Sequence, residues 1–313
     1  MTDFHPGQLL MVDIQGQQLD KATAEFLRKN QIRGVCLLDK NLGNEVEIQQ
    51  LTHDLREVMG EGALIAILQA DGATTFGAAD VGSEGAANGE AAAESAGAAV
   101  ARVLRNLGFN WNFAPALGGR IDPAKPLDCA HVAAWMRGSL REGVACCFTQ
   151  FAGHVDVAVE PIPTLPSIDK SRAELDQLEL RQFHAVKDFA PVLMLPHIVY
   201  PQIDPDHPAP LSTKLLGDIV RREWTYDGVV ISDSLADAAI QQRYGYGRAA
   251  VLAVQAGADM VLVPGSQAEQ RQALEALKAA FRRGELLAWQ GDRARARLDA
   301  LAIAYPAGLV TAS

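Results

Sequence analysis

The chain has 313 residues, of which 49% are hydrophobic and 21% are charged, and its formal net charge is −10. This composition is that of a globular protein with one large core, and the acidic charge without a basic run excludes nucleic acid as an expected partner. The sequence has no stretch of about 20 apolar residues that would span a membrane and no signal-peptide pattern, so we expect a cytoplasmic protein.

Eight short apolar runs follow one another along the chain, and most are continuously apolar rather than alternating. Such runs are typical of parallel strands that are covered on both faces. Helical patterns lie between most of them, which predicts a single-domain (β/α)8 TIM barrel over residues 1–313. The runs are residues 9–14, 34–39, 63–68, 110–117, 145–151, 191–197, 228–233 and 259–265.

A doubly wound open sheet is the alternative architecture for alternating strands and helices. No G-x-G-x-x-G fingerprint follows the first run, and no long linker divides the chain, so the barrel is favoured. The active sites of barrel enzymes lie on the loops that follow the carboxyl ends of the strands. The residues after each run, such as Asp233 after the seventh, are therefore the first to consider.

The cysteines and histidines give no metal or cofactor signal. Cys146 and Cys147 are adjacent in a strand-like run, so their side chains should point to opposite faces. With Cys36 and Cys129 they form no C-x-x-C pair, and we interpret all four as reduced structural residues. The histidines are scattered and no phosphate loop is present, so we expect no metal and no cofactor.

Four stretches carry a family pattern: "NLGFNWNFAPAL" at 106–117, "PHIVYPQIDPDHPAP" at 196–210, "TYDGVVISDSL" at 225–235 and "AGADMVLVPG" at 256–265. In these stretches the chain resembles glycoside hydrolase family 3, specifically its single-domain bacterial β-N-acetylglucosaminidases of cell-wall recycling. The resemblance runs from about residue 7 to about residue 300. It implies a TIM barrel that hydrolyses O-glycosyl bonds in amino-sugar or cell-wall-derived substrates.

The resemblance assigns Asp233 the position of the catalytic nucleophile. The family is retaining, so a carboxylate attacks the anomeric carbon while a second group protonates the leaving oxygen. The residues alone allow a plainer interpretation, in which Asp233 is the N-cap of the helix that follows. We predict that Asp233 occupies the position of the catalytic nucleophile.

The loop after the fifth strand departs from the family pattern. The family carries there a general-acid histidine oriented by an aspartate, and that histidine falls on Ile162, which cannot carry a proton. The aspartate aligns with Glu160, and Asp156 lies on the same loop. Either carboxyl is a candidate replacement acid if burial raises its pKa. For Glu160, which precedes a proline, the alternative is a solvated loop residue.

Other sugar-contacting positions of the family are also exchanged for neutral residues. Leu68 falls at an aspartate, Ala73 at an arginine, Gly118 at a further acid, and Thr149-Gln150 at a Lys-His pair. Loss of one hydrogen-bonding charge typically costs ~1.5–3 kcal/mol of binding, and loss of the general acid costs ~10²–10⁴ in rate. We therefore expect activity that is weak, altered or absent.

Four further residues are predicted to contact substrate: His154, Asp156, His197 and Tyr200. His197 would hydrogen-bond a ligand or Asp233 itself. A supporting role in the loop is the alternative for His154, and simple packing is the alternative for Tyr200.

Three functions remain open from the sequence. The first is a retaining hexosaminidase that uses Asp233 with Glu160 or Asp156. The second is a non-catalytic pseudoenzyme that binds a sugar, a muropeptide or a protein partner, because the exchanges concentrate at ligand contacts and spare the scaffold. The third is a hydrolase of a different glycoside. The expected partner is a small carbohydrate, an amino sugar or a peptidoglycan fragment, and the oligomeric state is not predicted.

Overall fold

The computed structural model describes residues 4–68, 89–115, 129–149, 164–177 and 179–307. Strands in these ranges are short and, in the main sheet, buried on both faces. In chain order they are β1 Leu10–Val12, β2 Gly34–Leu37, β3 Leu64–Ile67, β4 Trp111–Asn112, β5 Ala145–Phe148, β6 Val192–Leu195, β7 Val199–Tyr200, β8 Asp204–Pro208, β9 Val229–Ser232 and β10 Val261–Val263.

Eight of these strands form a single parallel sheet in the order β10-β1-β2-β3-β4-β5-β6-β9. A parallel bridge between Ile231 and Met260 joins β9 to β10 and closes the sheet on itself. The predicted TIM barrel is therefore confirmed. The strands β7 and β8 form a separate antiparallel hairpin after β6, which the sequence analysis did not predict.

Helices lie between the strands and cover the outside of the barrel. They are α1 Lys21–Lys29, α2 Glu45–Met59, α3 Gly89–Asn106, α4 Cys129–Arg141, α5 Arg172–Gln177, α6 Glu179–Val186, α7 Ala238–Arg243, α8 Gly245–Ala256, α9 Gln267–Arg283 and α10 Ala288–Ala304. Three 3₁₀ helices, Pro6–Leu9, Asp39–Asn41 and Ala209–Leu211, and a π-type helix, Thr213–Glu223, complete the described elements. In the described ranges, no helix is both long enough and apolar enough to cross a lipid bilayer.

Local sequence explains where the helices begin and end, and α9 is a clear case. Ser266 and Glu269 form a capping box, in which the Ser266 N–H donates to Glu269 Oε2 over 2.6 Å. The helix ends at Gly284, whose φ of +71° is the left-handed conformation that glycine adopts without strain.

The apolar side chains divide into two buried clusters. One cluster fills the barrel, and we call it the interior cluster; the other lies between the sheet and the helices. Cys147 belongs to the interior cluster and Cys146 to the outer one, which confirms that the two side chains point to opposite faces. The strand residues of the interior cluster are Met11, Cys36, Leu64, Ala66, Trp111, Ala145, Cys147, Val192, Met194, Val229, Ile231 and Leu262.

Helix α10 closes the amino-terminal end of the barrel. Leu298 and Leu301 of this helix pack against the interior cluster. Beneath them Asp259 is fully buried and accepts hydrogen bonds from Arg221, from Arg297 Nη1 at 3.1 Å and from the Val230 N–H at 2.8 Å. This buried ion network joins the π-type helix, β9 and α10 at the amino-terminal end of the barrel. A functional site would therefore lie at the opposite, carboxyl end.

Candidate active site at the carboxyl ends of the strands

Asp233 directly follows β9 and lies at the carboxyl end of the barrel. Its backbone N–H donates to the Leu195 carbonyl over 3.0 Å, which ties it to the neighbouring strand β6. Its carboxylate is partly exposed, and Oδ1 accepts the Ser234 N–H at 2.7 Å. Among the residues that the structure describes, Oδ2 has no hydrogen-bond partner. This oxygen is therefore available to a ligand or a reacting carbon.

The N-cap of the helix after β9 is Asp237 and not Asp233. Helix α7 begins at Ala238, and Asp237 Oδ1 accepts the N–H groups of Ala239 and Ile240 at 2.9 and 3.2 Å. Capping therefore does not explain the carboxylate at position 233. The catalytic role of Asp233 stays a prediction.

The floor beneath Asp233 is apolar and uncharged. The thiol of Cys147 belongs to the interior cluster, and burial, together with the nearby Asp233 charge, raises its pKa well above the usual range. A neutral thiol is neither a nucleophile nor a metal ligand at neutral pH. Water is excluded from this floor, so electrostatic interactions of the carboxylate above it are less screened than in solvent.

One side of the rim is also apolar. Leu38 and Leu68 follow the adjacent strands β2 and β3, and both pack on the interior cluster while remaining partly exposed. Thr149, which follows β5, is largely buried. Because Leu38 and Leu68 are apolar and Thr149 is largely buried, the described rim offers few partners to hydroxyl groups on this side.

An ion pair at the end of β1, the neighbour of β2 in the sheet, escaped the sequence analysis; its carboxylate is buried and its lysine is exposed. Asp13 follows β1, and its Oδ1 accepts from the Gly265 N–H at 2.8 Å and from Gln270 Nε2 at 3.0 Å. Its Oδ2 lies 2.5 Å from Lys40 Nζ. A signal was present, because Asp13 is a carboxylate near the carboxyl end of the first apolar run, residues 9–14. Its donors come from the segment after β10, from α9 and from the segment after β2, so Asp13 joins the ends of the first and last strands.

His197 contacts Ser234, the residue after Asp233, whereas Tyr200 does not line the barrel. His197 is 6% exposed, and its Nε2 is 3.0 Å from the Ser234 carbonyl oxygen. Tyr200 is fully buried and packs in the outer cluster. Packing accounts for the position of Tyr200, and a role of either residue in substrate binding stays a prediction.

The hairpin that carries Tyr200 is fixed by Asp204. Its Oδ2 accepts the Ser212 hydroxyl at 2.7 Å, and its Oδ1 accepts the Asp206 N–H at 3.1 Å. Burial alone would raise the pKa of Asp204, but these hydrogen bonds and the nearby His207 lower it below the ordinary value. These contacts tie the hairpin to Ser212, the N-cap of the π-type helix.

The remaining predicted site residues lie outside the described residues. They are His154, Asp156 and Glu160 of the loop after β5, and their proposed roles stay predictions. The exchanged positions Ala73, Gly118 and Ile162 also lie outside the described residues.

Comparison with known proteins identifies the family. Residues 1–301 match the model of the glycosyl hydrolase family 3 N-terminal domain. A β-hexosaminidase of Idiomarina loihiensis is 28% identical, over 85% of this chain and 87% of its own. A family 3 β-N-acetylglucosaminidase from a Paenibacillus species is 30% identical with a TM-score of 0.87, over 98% of this chain and 64% of the longer Paenibacillus chain. A β-N-acetylhexosaminidase from Beutenbergia cavernae is 25% identical with a TM-score of 0.75, over 94% and 96%. The chain belongs to glycoside hydrolase family 3.

Proposed function

We propose that the protein is a retaining glycoside hydrolase that acts on β-linked N-acetylhexosaminides, with Asp233 as the nucleophile. The observation that carries the proposal is the Asp233 carboxylate at the carboxyl end of the barrel, with Oδ1 held by the Ser234 N–H and Oδ2 available. The names of the relatives support the sugar class. One domain formed by the whole chain, a cytoplasmic location and a place in cell-wall recycling belong to the same proposal.

The reaction would run in two steps. Asp233 Oδ2 attacks the anomeric carbon, the glycosidic bond breaks, and a covalent glycosyl-enzyme forms. Water then displaces Asp233 from that carbon and restores the carboxylate, and the proton released by this water passes to the group that acted as the acid in the first step. A proton must reach the leaving oxygen in the first step, and Glu160 or Asp156 is the proposed donor. With a leaving group that is already a stable anion, the first step needs little help from an acid.

The test uses 4-nitrophenyl N-acetyl-β-D-glucosaminide, whose nitrophenolate leaves without protonation. We expect slow release by the wild type and a loss of at least about 10³-fold in Asp233→Asn, because the amide is a poor nucleophile. Asp237→Asn is the matched control, because it makes the same exchange four residues away and keeps a capping side chain. No release by the wild type, or equal release by the two variants, would refute the proposal.

A non-catalytic sugar-binding barrel is the second candidate. Leu68 favours it, because this side chain packs on the interior cluster where a family enzyme carries a sugar-binding aspartate. Calorimetry with N-acetylglucosamine and muropeptides tests this alternative: a measurable Kd without nitrophenolate release would support it. Release from a different aryl glycoside would instead indicate altered specificity.

A further inference from the structure

His197 reaches the chain segment that carries Asp233. Strands β6 and β9 are parallel neighbours, with Leu195 opposite Ser232. His197 lies two residues beyond Leu195, and its side chain meets Ser234, two residues beyond Ser232. Nε2 is 3.0 Å from the Ser234 carbonyl oxygen, and the ring is buried. The contact is a consequence of strand register.

The partner of Nε2 decides the tautomer of the ring. A carbonyl oxygen accepts hydrogen bonds and never donates them, so Nε2 must carry a proton. Nδ1 is buried and has no hydrogen-bond partner in the described part of the chain. In the neutral ring Nδ1 is therefore an acceptor, and Nε2–H is the group that donates a hydrogen bond to the Ser234 carbonyl.

The Ser234–Leu235 peptide is held from both sides. Its carbonyl accepts from His197 on the β6 side, and its N–H, at Leu235, donates to the Leu262 carbonyl of β10 over 2.9 Å. The preceding peptide supplies the Ser234 N–H that binds Asp233 Oδ1. One step earlier, the Asp233 N–H is bound by Leu195. The direction of the carboxylate thus depends on a turn that is fixed at each end.

We propose that His197 is a positioning residue that orients the Asp233 carboxylate through its hydrogen bond to the Ser234 carbonyl. The inference rests on the function proposed above. A nucleophile must lie within a few tenths of an ångström of its productive place, and a misplacement of about 1 Å costs about 10²-fold in rate. His197 would therefore act on the reaction rate and not on ligand affinity.

Two substitutions by amide side chains distinguish the role of Nε2 from the role of Nδ1. The side-chain amide of His197→Gln places an N–H donor where Nε2 lies, whereas that of His197→Asn reaches only the place of Nδ1. We expect His197→Asn to lower the single-turnover rate of nitrophenolate release by about 10- to 100-fold. The half-saturating substrate concentration should change by less than about 3-fold. His197→Gln should retain a rate within about 3-fold of the wild type.

Other outcomes would overturn the inference. A higher half-saturating concentration in His197→Gln at an unchanged rate would indicate that Nδ1 binds the ligand directly. Equal rates in both variants, with a lower Tm, would indicate a purely structural ring. A wild type that releases no nitrophenolate would refute the proposed function itself, and this result differs from the others because it appears without any substitution at position 197.

A measurement on the unmodified protein guards against misfolded variants. Nitrogen-15 NMR of labelled histidines distinguishes the two neutral tautomers, and the His197 signal is assigned by its loss in His197→Gln. We expect the Nε2–H form near pH 8. The Nδ1–H form would overturn the inference whatever the activity of the protein.

Discussion

At the scale of single residues, Leu68 shows how one side chain changes what the rim can bind. It follows β3, packs on the interior cluster and is still partly exposed towards the carboxyl end of the barrel. An apolar side chain at this point cannot pair with a sugar hydroxyl, and a hydroxyl placed against it loses hydrogen bonds to water.

The substitution Leu68→Asp should reverse this effect. A carboxylate that accepts from a sugar hydroxyl contributes about 1.5–3 kcal/mol, so we expect the half-saturating concentration of the aryl N-acetylglucosaminide to fall by about 10-fold or more. The lost apolar contact should lower the free energy of unfolding by about 1–3 kcal/mol. Leu68→Asn, similar in size but uncharged, is the control, and an equal gain in both variants would contradict the role of charge.

The residue scale also shows what sequence alone can predict about the site. Asp233 became a candidate because it ends an apolar run at a strand end, and the family resemblance then assigned it the position of the nucleophile. The partners of Asp13 could not be found in this way, because Gly265 and Gln270 are about 250 positions away and meet it only once the sheet has closed. The N-cap of α7 is Asp237 and not Asp233 because the turn after β9 ends at Asp237, and the sequence alone does not show where this turn ends.

At the scale of elements, the β7–β8 hairpin depends on the ionisation of one carboxylate. The folded-state pKa of Asp204 is lowered, mainly by the Ser212 hydroxyl and the Asp206 N–H acting against burial. A lowered pKa stabilises the fold above the unfolded value of about 3.9, and this contribution disappears as the pH falls through the folded pKa.

We therefore expect Asp204→Asn to cost about 1–3 kcal/mol of unfolding free energy at pH 7 and much less near pH 2–3. Urea unfolding of wild type and variant at both pH values measures the difference. The asparagine keeps the shape and one of the two acceptor oxygens, so the comparison measures the charge together with one hydrogen bond. A difference that stays constant with pH would contradict the assignment.

The hairpin was not predicted because its strands do not show a strand pattern. The second strand, Asp204–Pro208, carries two prolines and two aspartates, which are residues that strands disfavour. Tertiary contacts to Asp204 and Ser212 override this preference. The apolar runs, by contrast, predicted the barrel strands but overestimated their length, since within the described residues 110–115 the strand is only Trp111–Asn112.

At the scale of the whole molecule, the Asp259 network ties the last helix to the barrel. Two guanidinium groups, of Arg221 and Arg297, converge on this buried carboxylate. Removal of the anion leaves the largely buried Arg221 without its counter-charge and leaves Arg297 with only the exposed Asp227; breaking such a buried pair typically costs about 3–5 kcal/mol.

We expect Asp259→Ala to lower the free energy of unfolding by about that amount, measured by denaturant titration. Asp227→Ala is the matched control, because Asp227 also pairs with Arg297, at 2.8 Å, but its side chain is 86% exposed. Exposed pairs contribute about 0–1 kcal/mol, so the control should unfold almost as the wild type does. Similar losses in both variants would contradict the importance of burial.

The contact of Asp13 with Gly265 has a consequence for biosynthesis. The two residues are 252 positions apart, and a ribosome adds about 5–20 residues each second. The first strand therefore leaves the exit tunnel roughly 10–50 s before its final neighbour exists, and throughout that interval one edge of the nascent sheet is open to other chains. The rate of translation, and not only the stability of the folded barrel, should therefore determine the yield of folded protein in a cell.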